Sequence, residues 1–326
     1  MLPGGCQVAA LVWRDQHLAG DAHRLMLSIF ANNLLPIFLA AAAGYLLAAR
    51  FRVDPRPLAE VAFLVFSPCL VYDAIVDTAL PTDAVLRMAG FTLMTLFALG
   101  GLAALVAWWR GWSRPLAASV MLVVLLPNAG NYGLSVNLFA FGDQGLAQAT
   151  IFFVTAAIVT YTAGVFVASL GRASLAVALP GLLKVPATWA VALAVFSVQT
   201  GWSLPFPLAR TVDLLAQACI PAFLVILGMQ LYGKGLGTPA GPLAAVVGLR
   251  LVGGPLLGVL MAHLLGLDGP AQQAAVLQSA MPSAVVCIVL ATQYDAEPGF
   301  ATSAVFVTTV LSPLTLTPLL AFLGTA

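Results

Sequence analysis

Ten apolar stretches separated by short polar connections run along this chain, near residues 27–49, 57–76, 84–109, 115–140, 146–170, 183–202, 208–232, 241–265, 270–293 and 299–323. Each is about 20 residues long, the length of helix that crosses a hydrocarbon layer of roughly 30 Å. The pattern predicts ten membrane-spanning helices, with no room between them for a soluble domain. Two stretches are interrupted by residues that a membrane helix tolerates poorly. Pro127-Asn128-Ala129-Gly130-Asn131-Tyr132-Gly133 lies in the fourth, and Ala280-Met281-Pro282-Ser283 in the ninth. An unpaired backbone N–H or C=O is costly in lipid, so a broken helix persists there only against protein, a polar cavity or a ligand.

Composition agrees with the pattern. Hydrophobic residues make up 61% of the 326, charged residues 8%, and the mean hydropathy is +1.03, whereas a soluble domain carries about 25% charged residues. The expected class is therefore an all-α polytopic protein of the inner (plasma) membrane. Lys and Arg are retained on the cytoplasmic side of such proteins. Placing Arg50, Arg52, Arg56, Arg110, Arg114, Arg172, Lys184 and Lys234 inside leaves only Arg87 and Arg210 at outer loops and helix ends, so both termini are expected on the extracytoplasmic side. Residues 1–26 fit no span. Arg14, Asp15, His17, Asp21, His23 and Arg24 crowd the segment where a signal peptide needs an uninterrupted apolar core, so a disordered tail, or a start misassigned upstream of Met26, is expected.

Sliding the chain over itself by 153 residues places Pro68 on Pro221, Glu60 on Asp213, Phe153-Val154-Thr155 on Phe306-Val307-Thr308 and Thr162 on Thr315; an offset of 155 places Pro127 on Pro282. The spans then divide into two five-helix repeats, 27–170 and 183–323. Because five is odd, the second repeat must enter from the opposite side, giving a 5+5 inverted topology with the broken helices in fourth and ninth place. Paired breaks in such repeats point to the substrate site of a secondary transporter.

The chemistry of the breaks suits an anion. A half-helix N-terminus carries partial positive charge and unsatisfied N–H donors. Asn128 and Asn131 can donate or accept, Gly130 and Gly133 allow close backbone approach, Ser283 can cap the second half-helix, and Met281 and Pro282 flank it. Tyr132 completes the candidate substrate-binding set. The competing reading is that Pro127 and Pro282 merely kink continuous helices.

The run from Asn128 to Leu134, followed by Phe141-Gly142-Asp143-Gln144-Gly145, resembles the fourth-helix pattern of the auxin efflux carrier family. Ala280-Met281-Pro282-Ser283-Ala284-Val285, with Leu290-Ala291 and Tyr294-Asp295, resembles its ninth-helix pattern. Leu34-Leu35-Pro36-Ile37-Phe38 with Gly44-Tyr45, Ile220-Pro221 with Gly228 and Leu231, and Arg250 with Pro255 extend the resemblance over nearly everything from Met26 onward. That family includes plant PIN auxin exporters and bacterial carriers of malate or malonate, and its fold is like that of the bile-acid sodium symporters. The resemblance implies a scaffold of helices 1, 2, 6 and 7 and a transport domain of helices 3–5 and 8–10, working as an elevator, with a homodimer through the scaffold. Ser135, where the family has Pro, and the additional Asn137 depart from the pattern and bear on substrate.

Three ionisable residues are candidates for coupling or support. Arg250, within the eighth span, either pairs near a break or snorkels to the interface. Asp213 and its counterpart Glu60 are read as complementing helix dipoles, with proton coupling as the alternative. Asp73 belongs either to a titrating site or to an outer cluster with Asp77, Asp83 and Arg87. Trp108, Trp109, Trp112 and Trp202 fit interfacial belts. Cys6, Cys69, Cys219 and Cys287 lack metal-ligand spacing.

The expected function is thus secondary transport of a small organic anion: malate, malonate or an auxin-like acid. No cofactor, metal or nucleic acid is expected. A sodium-coupled symporter is the nearest alternative, although few carboxylates stand beside the breaks. A channel, or an intramembrane enzyme, which would need a nucleophile–base pair or metal set, ranks below both.

Overall fold

The computed structural model describes residues 24–169, 185–232 and 239–324. Most of the anticipated tail, Cys6, and the loop residues Arg172, Lys184 and Lys234 lie outside the described residues. The described chain is helical: α1 (Arg24–Phe51), α2 (Arg56–Asp77), α3 (Thr82–Trp109), α4 (Arg114–Leu125), α5 (Ala129–Ala168), α6 (Pro186–Thr200), α7 (Phe206–Leu231), α8 (Ala240–Leu264), α9 (Gly269–Ser279), α10 (Val286–Gln293) and α11 (Pro298–Leu323). Among the described residues there are no strands beyond a single bridged pair.

Seven of these helices, α1, α2, α3, α5, α7, α8 and α11, are long and apolar enough to cross a membrane. The chain is a multi-pass membrane protein. Breaks in the fourth and ninth expected spans, and the 15-residue length of α6, account for the difference from the ten expected spans. The 12-residue α4, 11-residue α9 and 8-residue α10 rise about 1.5 Å per residue, too little to cross alone. In α5, Gly142 adopts φ 63°, ψ −158° inside the 40-residue helix. A side chain is strained at that backbone conformation, and glycine is not.

Two packed groups emerge. In the first, α1 lies against α7, and α2 touches both α6 and α7. Small residues allow the close approach of α1 and α7: a Cβ added to Gly44 would stand 2.0 Å from the Val225 carbonyl oxygen, and one on Gly228 1.6 Å from that of Ala41. Lipid offers little hydrophobic gain for helix association, so such backbone contact supplies dispersion where bulky residues cannot. In the second group α5 packs on α9, α3 on α4 and α5, α8 on α9, and α11 on α4 and α10. The groups meet where the start of α5 touches α7, and where Phe153 of α5 stacks edge-on against Phe223 of α7 at 6.2 Å.

One expectation fails on position. Neither Glu60 nor Asp213 lies in the first turn of its helix, and the dipole field fades within that turn. Trp108 and Trp109 stand exposed at the end of α3.

Candidate functional site

Each break begins at its proline. A residue preceding proline is pushed out of the helical region, and Leu126, before Pro127, is extended at φ −104°, ψ 100°. Asn128, at φ −76°, ψ 60°, turns the chain into α5. In the other break, α9 ends at Ser279 and α10 restarts at Val286.

The two freed backbones lie antiparallel against each other. The Asn128 N–H donates to the Pro282 carbonyl at 2.7 Å, and the Ala284 N–H donates to the Leu126 carbonyl at 2.9 Å, with Pro127 facing Ser283. Pro127 and Pro282 are therefore not kinks in continuous helices. Mutual pairing satisfies groups that would otherwise be orphaned in an apolar surround.

That pairing changes the donor inventory read from sequence. The N–H groups of Asn128 and Ala284 are spent on the crossing, and that of Ser283 donates to Thr308 Oγ1 at 3.2 Å. Ser283 does not cap α10, because its hydroxyl donates to the Val123 carbonyl of α4 at 2.7 Å. Three further N–H groups are spent locally, Ala129 on Pro127 O at 2.8 Å, Cys287 on Ala284 O at 3.1 Å and Ile288 on Val285 O at 2.9 Å, so a ligand is left with the other first-turn N–H groups of α5 and α10 and with side-chain amides.

Arg250 holds the crossing from behind. It sits in a widened π turn of α8, Gly248–Gly253, and its side chain is fully buried. Its Nε donates to Met281 O at 2.7 Å, Nη1 to Val124 O at 2.8 Å, and Nη2 to Ser279 O. Val124 and Ser279 belong to the last turns of α4 and α9, where carbonyls lack helical partners and the dipole favours a cation. Of the two roles expected for this arginine, the carbonyl-pairing one is realised and the snorkelling one is overturned. Arg250 is the one charged side chain buried among the described residues, and no Asp or Glu joins it.

The remaining candidates cluster at the start of α5. Asn128 is buried, and its side-chain amide nitrogen has no partner. Asn131 is half-buried and donates to Gln230 Oε1 of α7 at 3.3 Å. Tyr132, fully buried, accepts a hydrogen bond from Ser312 Oγ at 3.3 Å and meets Phe38 edge-on at 5.9 Å. Gly130 lies against the Phe153 ring, where an added Cβ would come within 2.8 Å, and Gly133 lies against the Gln278 amide, within 2.2 Å. The Met281 side chain is enclosed. Asn137 donates back to Gly133 O at 2.8 Å.

Asp73 and Asp213 are not drawn into this cluster. They stand within electrostatic range of each other across α2 and α7, and Asp213, exposed, accepts from Gln217 at 2.7 Å. Among the described residues neither bonds to the crossing segments.

Sequence reading missed Gln230 and Gln278. Gln278 donates to Ala129 O at 3.2 Å and Ala149 O at 3.3 Å and leaves its own oxygen unpartnered. The available signal was an amide side chain deep inside each of two apolar stretches, which in a membrane protein points to function.

Known sequences similar to this chain are named as transporters. A family described as membrane transport protein matches residues 169–320. An uncharacterised transporter of Methanothermobacter thermautotrophicus is 27% identical over 297 residues, covering 87% of this chain and 95% of the relative. A second uncharacterised transporter, from Methanocaldococcus jannaschii, is 28% identical over 201 residues, 60% of this chain and 65% of its own. A protein of Rhizobium meliloti named as a malonate transporter is 35% identical over 117 residues, 36% of this chain and 37% of its own. Crossed, broken helices on the structural side thus stand beside similarity, on the sequence side, to the membrane transport protein family over residues 169–320 and to relatives named as transporters.

Proposed function

We propose that this protein is a secondary transporter of a small carboxylate, which binds at the crossing of the two breaks. The observation that carries the reading is the buried Arg250 guanidinium, bonded only to carbonyls at the crossing, with no buried carboxylate among the described residues. A guanidinium solvated by carbonyls but without an acidic partner leaves a net positive charge in a low-dielectric surround, which favours an anionic guest. Unspent N–H groups at the start of α5, with the amides of Asn128 and Asn131, would receive it. The same charge counts against sodium at this site, which makes sodium symport the weaker reading. The Rhizobium relative named for malonate supports a short carboxylate as cargo.

In this reading α4 with the first part of α5, and α9 with α10, are each one interrupted span, the rest of α5 is another, and α6 completes ten. An inverted repeat is the natural source of an antiparallel crossing between Leu126–Asn128 and Pro282–Ala284. The group of α1, α2, α6 and α7 is the static scaffold, and the other group moves as an elevator. Both termini lie on the extracytoplasmic face of the plasma membrane. Proton coupling through Asp73 and dimerisation through the scaffold belong to the same proposal.

The test is uptake into proteoliposomes of labelled mono- and dicarboxylates, with pH and sodium varied separately. Saturable uptake is expected, with Asn131→Ala weakening apparent affinity by about ten- to a hundredfold, the worth of a charge-assisted hydrogen bond. Uptake at the unaltered rate and KM in that variant would falsify the role of Asn131, and unsaturable flux would point to a channel.

A further inference from the structure

A half-enclosed cavity of about 800 Å³ lies between the α1–α2 turn, the end of α7 and α10. Arg52, Asp54 and Arg56 are exposed on its α1–α2 side, and Thr292 and Gln293 are exposed on its α10 side. Further in, its wall includes buried Ala48 and Met229, half-buried Ile288, and Gln230. Gln230 is the residue that accepts the hydrogen bond from Asn131. The cavity therefore ends one hydrogen bond away from the candidate substrate cluster.

Charge at the mouth is asymmetric. Two guanidinium groups face one carboxylate, and among the described residues neither arginine forms an ion pair. Arg52 is held at the mouth by backbone geometry, since it terminates α1 in a left-handed conformation at φ 52°. Asp54, whose carboxylate accepts the Arg56 backbone N–H at 3.1 Å, forms no ion pair with either arginine among the described residues. A cleft with low-dielectric walls focuses the field of such charges and raises the local concentration of ions of opposite sign.

We infer that this cavity is the access route for the anion from the face bearing the α1–α2 turn, with Arg52 and Arg56 drawing it in and Gln230 receiving it from Asn131's side of the wall. The inference rests on the proposed anion transport, and it assigns α7, on the static side of the molecule, a side chain that meets the cargo. To be taken up, the carboxylate replaces the Gln230 amide as the partner of the Asn131 Nδ2 donor. That exchange keeps the Asn131 donor satisfied, so it carries no unpaired-donor penalty.

Accessibility of introduced thiols tests the route without relying on transport. Gln230→Cys and, independently, Gln293→Cys are placed in oriented vesicles. They are treated with membrane-impermeant methanethiosulfonates, one carrying a sulfonate and one a trimethylammonium group, with the unaltered chain as the background for its own cysteines. Both variants are expected to react from the Arg52 face alone, and the sulfonate's rate advantage should drop about tenfold on adding Arg52→Gln with Arg56→Gln. High salt should abolish the advantage as well. Absence of labelling at both positions, labelling of Gln230→Cys from the opposite face, or an unchanged charge preference in the double-glutamine background would each overturn the inference. Carboxylate uptake assayed in the same double-glutamine background should show KM raised from the Arg52 face only. If labelling follows the expected pattern while the unaltered chain carries no carboxylate, the transport reading fails and the anion-selective access route stands.

Discussion

Arg250 shows how one residue can be at once an electrostatic burden and a structural tie. Burying a guanidinium is expensive, and the cost is met only when its N–H groups find acceptors. The acceptors here are the Met281 carbonyl of the second break and the Val124 and Ser279 carbonyls of the helix ends that precede the two breaks. Replacing it with methionine leaves those carbonyls unsatisfied, at about 1–3 kcal/mol each. Arg250→Met is accordingly expected to melt well below the parent in detergent, with Arg250→Lys in between, because an ammonium cannot span three acceptors in a plane. Equal melting temperatures for Arg250→Met and the parent would remove the tie from the account. The position of this arginine within an apolar stretch was legible in the sequence, and so was its need of a partner. Which carbonyls it would meet was not, because Val124 and Met281 are brought to it from distant parts of the chain.

At the level of elements, proline and glycine decide where helices stop and how near they come. The two breaks were legible because proline removes an N–H and restricts its predecessor wherever it stands in a helix. Their mutual pairing was not, since antiparallel contact between 127 and 283 depends on how α4, α5, α9 and α10 are arranged. Ser283 illustrates the gap. A serine beside a helix start reads locally as a cap, yet the nearer unsatisfied acceptor belongs to another helix. Glycines make a sharper distinction. Gly228→Ala would push a methyl into the Ala41 backbone, whereas Gly90 of α3 has open space around it. Gly228→Ala is expected to destabilise by about 1–3 kcal/mol through overpacking, while Gly90→Ala should be neutral or stabilising by up to about 1 kcal/mol from helix propensity. Thermal unfolding of the two variants side by side checks this, and matching midpoints would argue against backbone contact between α1 and α7.

For the molecule as a whole, the proposed elevator requires the two packed groups of helices to move past each other. Phe153 with Phe223, and Asn131 with Gln230, bridge the groups, whereas Tyr45 and Tyr232, 5.5 Å apart, lie within one of them. Cross-linking Phe153→Cys to Phe223→Cys is expected to abolish transport reversibly, with recovery on reduction. A cross-link between Tyr45→Cys and Tyr232→Cys should leave it largely intact. Equal tolerance of both would exclude relative movement of the groups.

Hydropathy and proline placement were sufficient, by themselves, to read a helical membrane protein with two interrupted spans, because backbone cost in lipid and the geometry of proline act on each segment locally. The partners of the interrupted segments were decided only by the tertiary structure. Hydrogen bonds between residues more than a hundred positions apart, such as those of Arg250 to Val124 and of Ala284 to Leu126, satisfy local deficits through non-local neighbours. A stretch of chain records that a donor or acceptor is left over, and only packing selects what meets it.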